Sequence, residues 1–417
     1  MRNIATLLLQ APRFPKPDFE SGYQYPNILY PVPNEMLWDV IDVIMLVLLM
    51  SIVAWAALKK HSRKPIFWVS IISIGYFGFF RSGCICSVGS IQNIALALAD
   101  TSYVLPITVF LIFILPIAFT LLFGRVYCGG VCPFGALQEI VNVKNGKIPR
   151  PIAEALSIVP WIYLIFALLY AATRSRFIIC QFDPFVSIFR LGGDAGMILF
   201  GVVLLIASMF TGRPFCRFLC PYGAILSLFS NVSIYKTKLT HNQCINCSLC
   251  HNSCLVDAVR PPYDNKVKES RETGTQRVLL YLIIIPVFAV AGAFIMRHFS
   301  YDLSRANKDV KLYDMVMAYE ANPTNEMDFE LEAFYGQGGS IDELTAIYNE
   351  IEHRFSFLST IAGILIGLVI GLKLLNLSLK RTRVEYEIDN AACVSCGRCF
   401  SYCPQNIVRQ EEIEKQI

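Results

Sequence analysis

Eight cysteines fall into two copies of one spacing. Residues Cys244 to Cys254 read CINCSLCHNSC and residues Cys393 to Pro404 read CVSCGRCFSYCP, both C-x2-C-x2-C-x3-C. Thiolates at this spacing wrap a cubane iron–sulfur cluster. Three cysteines two residues apart occupy one tight loop that can follow three iron corners. The fourth opens a helix and points elsewhere, and in two-cluster proteins it ligates the other cluster. The expected ligand sets for two 4Fe-4S clusters are therefore Cys244, Cys247 and Cys250 with Cys403, and Cys393, Cys396 and Cys399 with Cys254. The alternatives are a zinc site or disulfides. Zinc sites usually pair two cysteines, a long gap and two more ligands, so two complete four-cysteine runs argue against zinc.

The other seven of the 15 cysteines are also clustered. Gly124–Ala136 reads GRVYCGGVCPFGA and Gly212–Ala224 reads GRPFCRFLCPYGA, with seven of 13 positions identical at an offset of 88. Both copies carry an aromatic before the first cysteine and another after the proline. Upstream lie Cys84 and Cys86 in one half and Cys180 in the other, which makes the unit span, outer cysteine, span, GRxxCxxxCPxGA. Two copies in one orientation imply approximate two-fold symmetry. The three-residue gap sets Cys128 and Cys132, and Cys216 and Cys220, one turn apart at a helix start, where the N-terminal field favours thiolate. Four such thiols could hold a further metal or iron–sulfur centre, act as two dithiol pairs, or be buried small residues. Cys84, Cys86 and Cys180 offer a weaker site, since disulfides are also open to them.

The elements that must position these thiols lie in a membrane. The 417-residue chain is 55% hydrophobic and 16% charged, with mean hydropathy +0.50. That is abnormal for a soluble protein and ordinary for a multi-span one. The net charge of +4 calls for no nucleic-acid partner. No cleavable signal peptide is expected, because Ala5–Leu9 is too short an apolar run. Residues 1–35 read as a proline-rich extracytoplasmic strap. Seven apolar runs follow, near Met36–Leu58, Ile66–Phe80, Tyr103–Phe123, Leu156–Ala172, Gly196–Phe210, Val278–Met296 and Phe357–Leu379. The second, fourth and fifth fall short of the roughly 20 residues a perpendicular span needs. The fold expected is mainly α: a polytopic helix bundle of about seven spans over 36–231, 278–296 and 357–379, carrying the repeat. A small α+β ferredoxin-like two-cluster domain completes it, split between 232–277 and 380–417. Each half is expected as strand–loop–helix–strand, Ser233–Val259 and Val384–Val408.

Charge gives a topology. With both cysteine runs inside, so are Lys59–Lys64, the segment with Arg125, Lys144, Lys147 and Arg150, the segment Arg213–Arg277, and the tail from Lys380 and Arg381. Short cytoplasmic segments favour Lys and Arg. The N-terminus and residues 297–356 are then outside. The loop Arg297–Arg354 holds 12 Asp/Glu against 5 Lys/Arg. It reads as a solvated cap or an acidic docking surface. Ser340 to Glu343 make a capping box.

These motifs together resemble the membrane iron–sulfur proteins of the NosR/NapH type. The resemblance is carried by CGGVCPFGALQE at Cys128–Glu139, GRPFCRFLCPYGA at Gly212–Ala224, the two cysteine runs, and RSGCICSVGSIQN at Arg81–Asn93. It implies a polytopic electron-transfer protein of a bacterial cytoplasmic membrane, linked to quinol oxidation or to electron supply for an extracytoplasmic reductase. The flavin-binding outer domain of the nitrous-oxide branch has no counterpart here, so a separate flavin- or haem-bearing subunit is the expectation. Two spans and the acidic loop separate runs that lie closer together in the nitrate-reductase branch.

Three functions fit. The first is an electron carrier in a redox complex, fed by a cytoplasmic donor or the quinone pool. The second is a quinol dehydrogenase component, for which Asp39, Asp42 and Asp183 are candidate proton acceptors. The third is a copper reductase or assembly factor working through the CxxxCP pairs. Neither a nucleotide motif nor a Ser–His–Asp arrangement occurs, and the histidines show no haem-ligand pattern.

Overall fold

The computed structural model describes residues 36–83, 86–190, 192–239, 244–263, 271–322, 328–378 and 383–408. The strap, Cys84, Lys380 and Arg381 lie outside them. Helices dominate among the described residues, and each of the seven apolar runs from Met36 onward is helical over most of its described length. Four helices are long and apolar enough to cross a membrane: Leu37–Leu58, Arg150–Ala172, Gly274–His298 and Ile341–Leu377. Pro184–Arg190 with Ala195–Phe210 adds a fifth if the bent pair counts as one span. Ser87–Ala99 and Ile107–Phe123 are apolar but shorter. The seven expected spans thus divide into full crossings and partial ones. The run at Ile66 is one of the short ones: the helix Arg63–Ser73 passes into a π-helical turn, Ile74–Phe80, beside the first cysteine element.

The first helix shows how apolar faces are shared. Leu46, Leu49, Met50, Val53 and Ala57 are buried, whereas Leu37, Val40, Ile44, Leu48 and Trp55 are exposed. A helix apolar all round belongs in lipid, with one face left for the core. That core gathers Val53, Ile66, Val131, Phe134, Phe185, Tyr222 and Leu226 around the repeat.

The helices Arg271–His298 and Ile341–Ser378 form a hairpin that crosses closely. A Cβ on Gly292 would meet the Gly363 carbonyl, and one on Gly367 would meet the Phe288 backbone. Gly363, Gly367 and Gly371 repeat every fourth residue on the face toward the partner helix, a small-residue stripe that lets backbones approach in lipid. Gly367→Leu should force the helices apart at a cost of about 1–3 kcal/mol. The check is a thermal melt of the detergent-purified protein; an unchanged midpoint would mean the crossing lies elsewhere.

At one end of this hairpin, Val316, Leu331 and Leu344 pack the helices Lys308–Ala321 and Phe329–Gly336 onto the start of the long helix. The Glu343 amide donates to Ser340 Oγ at 3.5 Å, as the capping box requires. Asn307 Nδ2 donates to Ser175 Oγ at 3.2 Å, so this cap closes one end of the bundle, where Arg174 also pairs with Asp100 at 2.6 Å. The cysteine runs lie at the other. There Val259–Arg260 pairs antiparallel with Glu387–Ile388, Val259 opposite Ile388 and Arg260 opposite Glu387, and Tyr263 bridges Arg383. The two distant segments therefore meet. Among the described residues each half holds one two-residue strand rather than two, because most of its backbone is spent on the cysteine loop.

Candidate metal and electron-transfer centre

Both cysteine runs turn in the same way. Asn246 and Ser248 in the first, and Ser395 and Gly397 at the matching positions of the second, all have left-handed φ, from 52 to 73°. Such φ is uncommon outside glycine, so its recurrence at equivalent positions marks a loop shaped to turn its thiols to one side. The helices Leu249–Ser253 and Arg398–Ser401 follow, and Cys254 and Cys403 lie beyond them. The Cys250 thiol is within electrostatic range of Cys244, Cys247 and Cys403. The Cys399 thiol is within range of Cys393, Cys396 and Cys254, and also of Cys250. Each trio thus has the last cysteine of the other run beside it.

The donor set suits an iron–sulfur centre: soft thiols in two adjacent groups. Burial pushes the Cys250, Cys396 and Cys399 thiols above the ordinary range, and Cys393 up to about 12. A coordinating metal reverses that preference, because a ligating thiol is deprotonated outright. Among the described residues, no three Cys, His, Asp or Glu converge tightly enough for a single metal ion. A cubane spreads its ligands over four corners and sets them further apart. Cys244 and Cys247 are exposed, Cys254 is buried, and the rest are half-buried, so one group faces solvent and the other faces the bundle.

The buried group is seated on the repeat. A Cβ on Gly129 would meet the Val394 carbonyl at 2.5 Å, and one on Gly212 would strike the Leu255 backbone. Arg125 Nη1 donates to the Ala391 carbonyl at 2.9 Å, Ser230 Oγ to the Asn390 carbonyl at 2.7 Å, and Asn145 Nδ2 to the Cys254 carbonyl at 2.8 Å. Glu139 ties the junction together. It pairs with Arg63 at 2.8 Å, Arg398 at 3.5 Å and the fully buried Arg213. Arg213 also donates to the Cys128 and Gly129 carbonyls.

Within the repeat, contacts are exchanged in pairs. Tyr127 meets Tyr222 edge-on at 6.0 Å, and Phe134 meets Phe215 edge-on at 6.3 Å. These are the two aromatic positions of the motif, each touching the other copy. Gly135 leaves room for Arg213, and Gly223 leaves room for Arg125. The motif's Arg, aromatics and Gly are therefore the interface of a pseudo-two-fold. The cysteine pairs do not share one helix as expected. Cys128 lies in a π-helical turn, Tyr127–Val131, and Cys216 in Pro214–Phe218. Cys132 and Cys220 are N-caps of new helices that start at Pro133 and Pro221, since proline is favoured at a helix's first position, where its missing N–H costs nothing. The Gly223 amide donates to Cys220 Sγ at 3.3 Å, and Gln138 Nε2 lies 3.5 Å from Cys216 Sγ. Cys220 is within electrostatic range of Cys216, Cys132 and Cys128, so the structure gathers all four.

Toward the capped end, Cys86 is within range of Cys180 and Asp183. Gln92 Oε1 accepts from the Ile179 and Cys180 amides at 2.8 and 3.3 Å and fastens the two elements together. Of the carboxylates, Asp42 pairs with Arg81 at 2.7 Å and accepts from Tyr76 at 2.8 Å. Asp183 caps the helix Pro184–Arg190 by accepting from Phe185 at 3.0 Å, and Asp39 accepts from Thr108 at 3.2 Å. All three have structural partners. Glu139, Gln138, Gln92 and Arg213 carry the site's architecture, yet sequence reasoning gave them no role. The only signal for them was their place inside or beside the quoted motifs.

A family described as a 4Fe-4S binding domain matches residues 105–151 and 194–239, the two copies of the repeat. A second of the same description matches residues 386–409. The uncharacterized protein MJ0750 of Methanocaldococcus jannaschii is 29% identical over 188 residues, 43% of this chain and 76% of that protein. The regulatory protein NosR of Stutzerimonas stutzeri is 27% identical over 46% of this chain, but only 29% of its own length is covered. The putative electron transport protein YccM of Escherichia coli is 32% identical over 33% of this chain and 43% of its own. No solved structure matches the chain. The iron–sulfur families thus fall on the repeat, inside a multi-pass bundle, and on the second cysteine run at the end of that bundle. The chain is a multi-pass membrane protein with 4Fe-4S binding segments, and over these segments it is similar to proteins of the NosR/NapH type.

Proposed function

We propose that the chain conducts electrons between a solvent-facing head and the capped end of its membrane bundle, as a subunit of a larger redox system. The observation that carries this is the succession of thiol groups. Cys244, Cys247, Cys250 and Cys403 hold the centre open to solvent. Cys393, Cys396, Cys399 and Cys254 hold the one seated on the repeat. Cys128, Cys132, Cys216 and Cys220 provide a third station, and Cys86 with Cys180, joined in sequence by Cys84, a fourth. A 4Fe-4S cluster supplies one-electron storage at a potential set by charge, hydrogen bonds and burial. The protein's part is to hold these stations in line, exclude water from the inner ones, and place Arg125 and Arg213 between them. Arg125 faces Cys393 and Cys216, and Arg213 faces Cys396 and Cys216.

The head is the cytoplasmic end in this reading. The linker after the first helix reaches it, with Asn406 Nδ2 donating to the His61 carbonyl at 3.2 Å. So does the segment before Arg150, where Lys147 Nζ donates to Asn252 Oδ1 at 3.0 Å. Both segments are rich in Lys and Arg, and the positive-inside rule puts them in the cytoplasm. The acidic cap then faces outward, toward a flavin- or haem-bearing partner.

A second reading, oxidation of a quinol, is favoured by an apolar slot of about 490 Å³ lined by Tyr163, Phe166, Phe182, Phe200, Phe215 and Leu219. Phe215 and Leu219 adjoin Cys216 and Cys220, so a flat ring in the slot would lie beside the repeat's thiols.

Iron and sulfide counts with EPR on anaerobically purified protein test the reading. About eight irons correspond to the two head centres alone, and more to a loaded repeat. Cys128→Ser with Cys216→Ser should remove only the excess. Stoichiometric copper lost in that variant, with eight irons retained, would instead favour the copper-handling alternative. Protein without iron would refute electron conduction.

A further inference from the structure

A cavity of about 620 Å³ opens where the head meets the ends of the spanning helices. It lies within the range of small-molecule sites. Its walls come from the segment before the helix Arg150–Leu156, the second repeat, the far end of Ile341–Ser378, and the head. Three of its cations are matched: Arg217 with Asp257 at 2.8 Å, Arg260 with Asp389 at 3.2 Å, and Lys373 with Glu154 at 3.8 Å. Three others, Arg125, Lys147 and Arg150, also line it, and among the described residues no carboxylate is within ion-pair distance of them. On the acid side only Glu387, at the exposed rim, is left over among the described lining residues. Arg125 is 6% exposed, and its Nε is buried without a hydrogen-bond partner. A buried donor left unmade costs about 1–3 kcal/mol, so an acceptor brought to Arg125 would be favoured.

We propose that this chamber binds a phosphate-bearing anion. Guanidinium groups match phosphate oxygens in pairs. The chamber also lies at the polar ends of spanning helices, where basic pockets between helices receive phosphate headgroups. The phosphate could come from a lipid of the surrounding leaflet or from solution, and the chemistry is the same. The site adjoins the electron-conduction path, since Cys216 and Cys220 also line it and Arg125 lies beside the inner thiols, but Lys147 and Arg150 belong to no proposed centre.

The test uses the full-length protein, iron loaded and stripped of lipid in detergent. Thermal melts and native mass spectrometry are run with phosphatidylglycerol, phosphatidylcholine or inorganic phosphate. Phosphatidylglycerol that is retained and raises the melting midpoint, where phosphatidylcholine does neither, supports a lipid source. A rise with inorganic phosphate, or its displacement of retained phosphatidylglycerol, supports a soluble one. In Lys147→Gln/Arg150→Gln, both exposed positions, affinity should fall about thirtyfold, as expected for two cations at headgroup level. Iron content unchanged in that variant shows that the head is intact. In the wild-type protein, binding should also weaken as ionic strength rises. Equal retention of phosphatidylcholine, full affinity in the double variant, or no binding by any probe overturns the proposal.

Discussion

Cys403→Ala should remove the centre served by Cys244, Cys247 and Cys250, and leave the one served by its own sequence neighbours. Cys254→Ala should do the reverse. The expectation follows from the exchange of fourth cysteines: Cys403 lies by Cys250, and Cys254 by Cys399. Losing one of four ligands should cost that centre most of its iron, about half the iron of the head. The remaining EPR signal identifies which centre survived. The two differ in exposure, because Cys244 and Cys247 are open to solvent while Cys254 is buried. The surviving signal in Cys403→Ala should therefore be the one less accessible to water-soluble relaxing agents. Loss of the less accessible signal in Cys403→Ala would show that each run serves a centre of its own.

Much of this site was legible because thiol spacing is a local property. C-x2-C-x2-C-x3-C can be read from eleven letters, and so can a thirteen-residue repeat. Apolar runs are legible for the same reason, and the seven from Met36 onward are mostly helical where described. Their depth is not, since a helix of 17 residues such as Ile107–Phe123 can lie within a bundle or reach across it, depending on its neighbours. The repeat's aromatics were visible as a pattern, but their purpose was not. Only the folded chain shows that Tyr127 seeks Tyr222 and that Phe134 seeks Phe215. Nor does a helix start mean one helix for both thiols of a pair: the proline after Cys132 and Cys220 begins a new one. Glu139 escaped notice because its partners Arg63, Arg213 and Arg398 come from three distant segments. The glycine stripe from Gly363 to Gly371 was readable in principle, as small residues every fourth position in an apolar helix.

Glu139→Gln should loosen the head from the bundle. The carboxylate meets three guanidinium groups, and the shape-matched amide removes its charge without opening a cavity. Arg213 is fully buried, and with the charge gone its positive charge loses its carboxylate partner. Breaking a buried pair from one side costs about 3–5 kcal/mol. Arg398 sharpens the effect. Burial and the nearby Arg63 hold it below the usual arginine value, while Glu139 and Cys396 pull it back up. In the variant, Arg63 and Arg398 repel each other with less to offset them. Arg398 opens the helix just after Cys396, so its release should free the loop seated against Gly129. Three measurements should move together: a lower melting midpoint, faster hydrogen exchange across 393–403, and faster iron loss to a chelator from the centre on Cys393, Cys396 and Cys399. Glu139→Ala adds a cavity and should be worse on all three. If Gln lowers the midpoint and leaves exchange at 393–403 unchanged, Glu139 stabilises the repeat alone, and the head is held by its backbone contacts at Ala391, Asn390 and Cys254.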